Sequence, residues 1–232
     1  MMNNIVEVKN LSKLYGRNRA LNNLNLNIEK GKVIGILGPN GSGKTTLIKI
    51  LTGILRQSKG DVKIDGKVPG VDTKSIVSYL PDRNFLYEWM SIEDSIDFYK
   101  DFFKDFDEKK AYQLLDFMNL DKNMKIKSLS KGMHEKINLT LVLSRKAKLY
   151  ILDEPIAGVD PVARDQILDA IIKNYDKEGA MIIATHLVRD MESVFDDVAF
   201  LRDGTIELAG SAEKLREERS MQIDDLYKDI FG

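Results

Sequence analysis

Cysteine is absent from the 232 residues. Disulfides, thiolate nucleophiles and thiolate metal sites are therefore excluded, and the absence fits a reducing compartment. Histidine is almost absent: His134 and His186 are the two present, and neither has a nearby acidic ligand pattern that would suggest zinc. No apolar run approaches the ~18 residues that read as a membrane span. The N-terminus, MMNNIVEVKN, lacks a basic region followed by an apolar core, so no signal peptide is expected. Charge of one sign is not in excess either: 35 Lys and Arg against 36 Asp and Glu leave a formal −1. A chain so balanced has no general electrostatic grip on nucleic acid, and no nucleic-acid partner is expected. The five prolines and sixteen glycines form no long linker, repeat or low-complexity tract.

What is present is a chain with 43% hydrophobic residues, enough for one sizeable core. Its texture changes along its length. Ile5, Val6 and Val8 form a first apolar run. Leu24, Leu26 and Ile28 alternate with asparagines, the period of a half-buried strand. Val33 to Leu37 carries no charge and reads as a buried central strand. Thr45 to Thr52 patterns as a helix that stops at Gly53, and Val62 with Ile64 precedes an Asp65-Gly66 turn. Ile76 to Leu80 is a further strand, stopped by Pro81.

From Ser91 to Leu143 the pattern is helical. Ser91 and Asp94 have capping-box spacing, and Asp107 to Asn119 carries Ala111, Leu114, Leu115 and Met118 near helical spacing. Phe98, Tyr99, Phe102, Phe103 and Phe106 are expected to pack within this region. Strand–helix alternation then returns: Leu149 to Leu152 and Met181 to Ala184 as strands, Val162 to Ile172 as a helix, and Asp197 to Thr205 as a hairpin about Asp203-Gly204. The last 20 or so residues read as short amphipathic helices, with Met221, Ile223, Leu226 and Ile230 packing on the core or a partner. The expected organisation is a single α/β domain over 1–232, a helical lobe inserted over about 82–145, and a helical tail over about 211–232.

The segment Gly38-Pro39-Asn40-Gly41-Ser42-Gly43-Lys44-Thr45 matches the phosphate-loop pattern GxxxxGK[ST], between an apolar strand and a helix. Its glycines let successive backbone N–H groups face a phosphate, and the following helix adds the positive end of its dipole. Lys44 is placed to reach phosphate oxygens, Thr45 to ligate Mg²⁺, and Thr46 to help hold the phosphates. A second buried strand ends in Asp153-Glu154. Asp153 suits Mg²⁺ held through its water shell, and Glu154 suits orienting or deprotonating an attacking water.

Together with Leu129-Ser130-Lys131-Gly132-Met133, which opens a helix 20 residues before Leu149, these segments resemble the ATP-binding cassette (ABC) family from Val6 to about Leu215. The resemblance implies a phosphate-loop NTPase core of ABC type with an antiparallel β subdomain and an inserted helical lobe. It implies ATPase activity with ATP and Mg²⁺. Ser130 and Gly132 match the signature positions that contact ATP held by an opposite cassette, and Ser130 also reads as a helix N-cap. Lys131 and Met133 depart from the signature; Lys131 either adds an electrostatic contact or faces solvent. Asp160, before Pro161, resembles the interface aspartate that helps organise the water. His186 resembles the switch histidine that positions Glu154, and Tyr15 resembles the aromatic that stacks on adenine. Asp82 stands where the family has glutamine, within reach of metal-bound water. Phe85, Leu86, Tyr87, Trp89 and Met90 either meet a membrane partner or pack inside the lobe.

The implied partners are a separate multi-span permease and a second cassette, the same chain or a paralogue. The implied location is the inner face of the cell membrane, reached through the permease. The single lobe and the LSKGM signature look most like the drug, peptide or lantibiotic exporter branch. The alternative is a soluble, non-transport ABC ATPase acting on a macromolecular complex. A phosphate-loop small-molecule kinase would lack the Ser130–Gly132 signature.

Overall fold

The computed structural model describes residues 4–174 and 178–232. The first three residues, part of the segment without a leader pattern, lie outside them. Two strands, β1 (Asn4–Tyr15) and β2 (Asn18–Glu29), form an antiparallel hairpin, and β4 (Lys59–Ile64) pairs with the other edge of β1. The larger sheet has six strands: β3 (Val33–Leu37), β5 (Val77–Leu80), β6 (Leu149–Asp153), β7 (Ala180–Thr185), β8 (Asp197–Arg202) and β9 (Thr205–Ser211). Their order is β5-β6-β7-β3-β8-β9, with only the β8–β9 pairing antiparallel.

Uncharged runs are needed at the centre of such a sheet because both faces are covered. Every residue of β3, β6 and β7 is buried. The pleat sends alternate side chains to two separate cores. Ile34, Ile36, Ile151 and Ile182 join β1, β2 and α1 (Lys44–Leu51), whereas Leu37, Tyr150, Leu152 and Ile183 join the helical side. The expected α/β core with an antiparallel β subdomain is the fold observed.

A minor helix, α2 (Val71–Lys74), precedes β5, and between β5 and β6 the chain makes α3 (Ile92–Phe102), α4 (Glu108–Met118) and α5 (Lys131–Leu143). The capping box at α3 forms: Ser91 Oγ accepts from Asp94 N at 3.0 Å and Asp94 Oδ2 from Ser91 N at 2.7 Å. Arg145 ties these helices to the sheet. It is 3% exposed, donates to the Val77 carbonyl at 2.7 Å, pairs with Asp105 at 3.1 Å, and lies 4.0 Å from the Phe103 ring centroid. Of the five lobe aromatics expected to pack, Phe102 does so only from the surface: it is 68% exposed, with its ring centroid 4.4 Å from that of Phe98. The segment after β5 divides: Met90 is buried, Phe85 and Leu86 are half-buried, and Tyr87 and Trp89 are exposed.

After β6 come α6 (Pro161–Asn174), then β7, α7 (Val188–Met191) and the β8–β9 hairpin. That hairpin reaches Ser211, six residues further than the sequence pattern suggests. The tail consists of α8 (Ala212–Arg219) and α9 (Ile223–Phe231). Ile223 and Leu226 are buried and Ile230 packs at the core's edge, but Met221 is exposed, in the break between the two helices.

Candidate functional site

Four strands deliver the site. β3, β5, β6 and β7 run parallel and adjacent, so their C-terminal ends lie along one edge of the sheet. Such edges are where open α/β sheets bind ligands. The phosphate loop leaves β3, Pro81-Asp82 leaves β5, Asp153-Glu154 ends β6, and Thr185-His186 ends β7. The sequence separates these pieces by up to about 150 residues; parallel pairing brings them together.

The loop's shape explains two of its glycines. A Cβ on Gly38 would stand 2.3 Å from the Leu201 carbonyl oxygen. Gly43 has φ +111°, and a Cβ there would lie 2.7 Å from the Ala20 carbonyl oxygen. Both close approaches are to backbone that cannot move aside. The β8–β9 turn completes the support: Gly204 N donates to the Ser42 carbonyl at 2.9 Å, and its own carbonyl accepts from Asn22 N at 2.9 Å.

Lys44 curls back into its own loop. Its ammonium donates to the carbonyls of Gly38 at 2.7 Å and Pro39 at 3.2 Å and lies 3.7 Å from Glu154 Oε1. Burial lowers its pKa, partly offset by the charges of Glu154 and Asp153. Glu154 sits at φ +53°, a left-handed conformation that is costly for a residue with a side chain. Its Oε2 accepts from Thr185 Oγ1 at 3.0 Å, and its Oε1 lies 2.9 Å from His186 Nδ1.

Asp153 is fully buried, and neither of its carboxylate oxygens has a hydrogen-bond partner. Burial, then the charge of Asp82, pushes its pKa up to about 6, while the nearby Thr45 hydroxyl opposes the shift. Two orphaned oxygens beside a hydroxyl at a phosphate loop fit a divalent cation that they approach directly or through water. Among the described residues no group of three or more His, Asp or Glu forms a metal cluster. Mg²⁺ does not need one, because phosphate oxygens and water complete its shell.

A cleft of about 450 Å³ opens over the loop, lined by Tyr15, Asn40, Gly41, Gly43, Lys44, Thr45, Thr46, Asp82 and Glu154. Asn18, Arg19, Ala20 and Asp203 line it too. Those four carry no local motif, and hairpin turns gave no reason to single them out. Tyr15 is 47% exposed, with the Lys13 ammonium 5.2 Å from its ring centroid.

Ser130, Gly132 and Asp160 do not line this cleft. Ser130 is exposed and caps α5, accepting from Met133 N at 3.3 Å. Asp160 caps α6, accepting from Ala163 N at 3.1 Å, and its other oxygen lies 3.4 Å from where a Gly132 Cβ would stand. Lys131 lies over Gly158, whose Cβ, if present, would collide with the Lys131 ammonium. The signature turn and the loop before α6 thus form one surface, apart from the cleft.

Comparison with known proteins gives the family and the fold. The family model for ABC transporters matches residues 21–157, more than half of the chain, and the chain belongs to that family. It is similar to the lantibiotic transport ATP-binding protein SrtF of Streptococcus pyogenes, with 33% identity over 94% of this chain and 97% of that one. It is 32% identical to the SkfA peptide export ATP-binding protein SkfE of Bacillus subtilis, over 87% of each. Among solved structures, an ATP-binding subunit of an ABC transporter superposes with a TM-score of 0.87 at 25% identity, covering 97% of this chain and 98% of that chain. The chain has the fold of the ATP-binding, ATP-hydrolysing subunits of ABC transporters. Among the described residues no helix is long and apolar enough to cross a membrane.

Proposed function

We propose that this chain powers an exporter of a peptide, lantibiotic or drug-like compound, working as one of two cassettes that enclose ATP head to tail beneath a separate permease. The observation that carries the two-cassette reading is the placement of Ser130. It caps an exposed helix N-terminus, where dipole and free N–H groups favour phosphate, yet it stands outside the chain's own cleft. A second chain, identical or paralogous, supplies the missing contacts. The exporter branch is supported by the names of SrtF and SkfE, and the exposed Tyr87 and Trp89 offer apolar surface for the permease. Attachment to the inner face of the membrane follows from that contact.

In this reading Tyr15 stacks on the adenine. The loop N–H groups, Lys44 and Thr46 hold the phosphates. Thr45, Asp153 and Asp82 would hold Mg²⁺, which would supply charge neutralisation at the phosphate oxygens. Glu154 accepts the proton of the attacking water, and His186 fixes the carboxylate's orientation. Ser130 and Gly132 of the opposite cassette add donors where negative charge spreads, and Asp160 orders the interface around the water. Lys44 must leave the Gly38 and Pro39 carbonyls to reach phosphate, which also frees Glu154 from its cation.

Glu154→Gln tests this. The amide keeps the shape but loses the basicity and the charge facing the phosphate. Size exclusion with light scattering is expected to show a dimer in Mg²⁺-ATP and a monomer in ADP, with turnover lost. A variant that hydrolyses ATP at the wild-type rate, with its permease present, would rule out Glu154 as the base.

A further inference from the structure

His186 is followed by a helix too short to hold itself. α7 has four residues, and Leu187 alone separates it from the histidine. An isolated turn of helix is unstable in water, so tertiary contacts must set its position. Two grips do so. On one side Arg164 donates from Nε to the Val159 carbonyl at 2.8 Å and from Nη1 to Asp190 at 2.7 Å. One guanidinium thereby joins the loop before α6 to α7.

On the other side stands the C-terminal tail. Arg216 of α8 donates to the Glu192 carbonyl at 3.0 Å. The Glu192 carboxylate accepts from Asp224 N, in the first turn of α9, at 3.1 Å. The residue that should cap α9, Gln222, makes no side-chain cap bond. Glu192 therefore supplies, from 32 residues away, the acceptor that the start of α9 needs. Ile223 and Leu226 are buried in the same apolar cluster as Val188, Met191 and Val194, with Leu187 and Tyr227 at its edge. Burial first, then the Glu154 charge, raises the Tyr227 pKa.

We propose that the C-terminal tail is a brace for the switch histidine, with Glu192 as its positioning residue. Clamped between Arg216 and the start of α9, Glu192 holds the α7 turn, and α7 keeps His186 against Glu154. Glu192 touches neither nucleotide nor reacting atoms. The proposal rests on the catalytic reading of the Glu154–His186 pair, and its test lets the two fail separately.

The test uses the full chain without nucleotide, labelled at histidine. Its two histidines give two ring signals, assigned with His134→Gln. Glu192→Ala is expected to shift or broaden the His186 signal and leave His134 in place. Glu192→Gln keeps an acceptor oxygen and is expected to restore the His186 signal. In the ATPase assay, Glu192→Ala is expected to lower kcat about 3- to 10-fold, less than the roughly 100-fold of a full 1 Å misplacement. Its ATP affinity should stay within about two-fold, because a positioning role leaves ground-state binding alone. An unmoved His186 signal in Glu192→Ala overturns the brace. So does an equal shift in Glu192→Gln, or a His134 shift of the same size, which marks general loosening. A moved His186 signal with unchanged kcat supports the brace and overturns the catalytic reading of the pair.

Discussion

His186 Nδ1 lies 2.9 Å from Glu154 Oε1 although 32 residues separate them. Their strands β6 and β7 pair in register, with Asp153 opposite Ala184. Glu154 N continues that pairing by donating to the Ala184 carbonyl at 2.8 Å. The left-handed backbone at Glu154 then turns its carboxylate across to the end of β7, where Thr185 and His186 receive it. A carboxylate held by three groups of one neighbouring strand end has little freedom, which is what orienting a water requires.

Lys44→Ala is expected to weaken ATP binding roughly 10- to 100-fold, the loss of charge-assisted hydrogen bonds worth about 1.5–3 kcal/mol. Lys44 is the buried cation of the loop. Titration with labelled ATP in Mg²⁺ measures it, and unchanged affinity would remove Lys44 from the phosphate site.

Ser130→Ala separates binding from assembly. ATP affinity of the single chain should not change, because Ser130 does not line its cleft. Loss of the α5 cap costs about 1 kcal/mol of stability. Combined with Glu154→Gln, it should abolish the ATP-dependent dimer. Light scattering that still shows a dimer would place Ser130 outside the interface.

Asp82 lines the cleft and its charge raises the Asp153 pKa. With Mg²⁺ the carboxylates share a cation; without it, Asp82 repels phosphate. Asp82→Asn and Asp82→Gln are expected to improve metal-free ATP binding while leaving Mg²⁺-ATP binding equal or weaker. Calorimetric titration with and without Mg²⁺ reads the difference. Equal shifts in both conditions would remove Asp82 from the metal's shell, and no shift beyond about 0.5 kcal/mol in either would mean that Asp82 faces solvent only.

Glu135 gives the fold a pH dependence. Burial, opposed by Lys131 and reinforced by Asp82, raises its pKa from 4.5 to about 7. Folded chains therefore hold a proton between those values that unfolded chains have released, and stability falls as pH rises from about 4.5 to 7. Below that window the carboxyl is neutral in both states and costs nothing. Glu135→Gln should flatten this part of the stability curve and stabilise the chain at pH 8 by about 1–2 kcal/mol, discounted for partial solvation. Denaturant melts across pH check it; an unaltered slope would mean that Glu135 ionises freely.

Much of the site was legible in the chain itself. The phosphate loop, the acidic pair at the end of β6 and the histidine after β7 are contiguous motifs, because each must fit one strand end and its turn. Helix starts at Ser91, Asp107 and Ser130 were legible for the same reason: a cap is a local bond, as Asp107 accepting from Lys110 N at 3.0 Å shows. Tertiary structure alone decided the rest. Asp203 and Gly204 read as an ordinary hairpin turn, yet strand order places β8 beside β3 and the turn under the phosphate loop. Arg145 has no motif, and its guanidinium finds Ser75, Val77 and Asp105 only once the lobe has docked. Phe102 fits the apolar pattern of its helix but is 68% exposed, since helical period says which face is apolar and not what covers it, and Met221 falls in the break between α8 and α9. Glu192 capping a helix 32 residues later is the same case: sequence specifies bonds that close within a turn, and chain topology specifies those that close across the molecule.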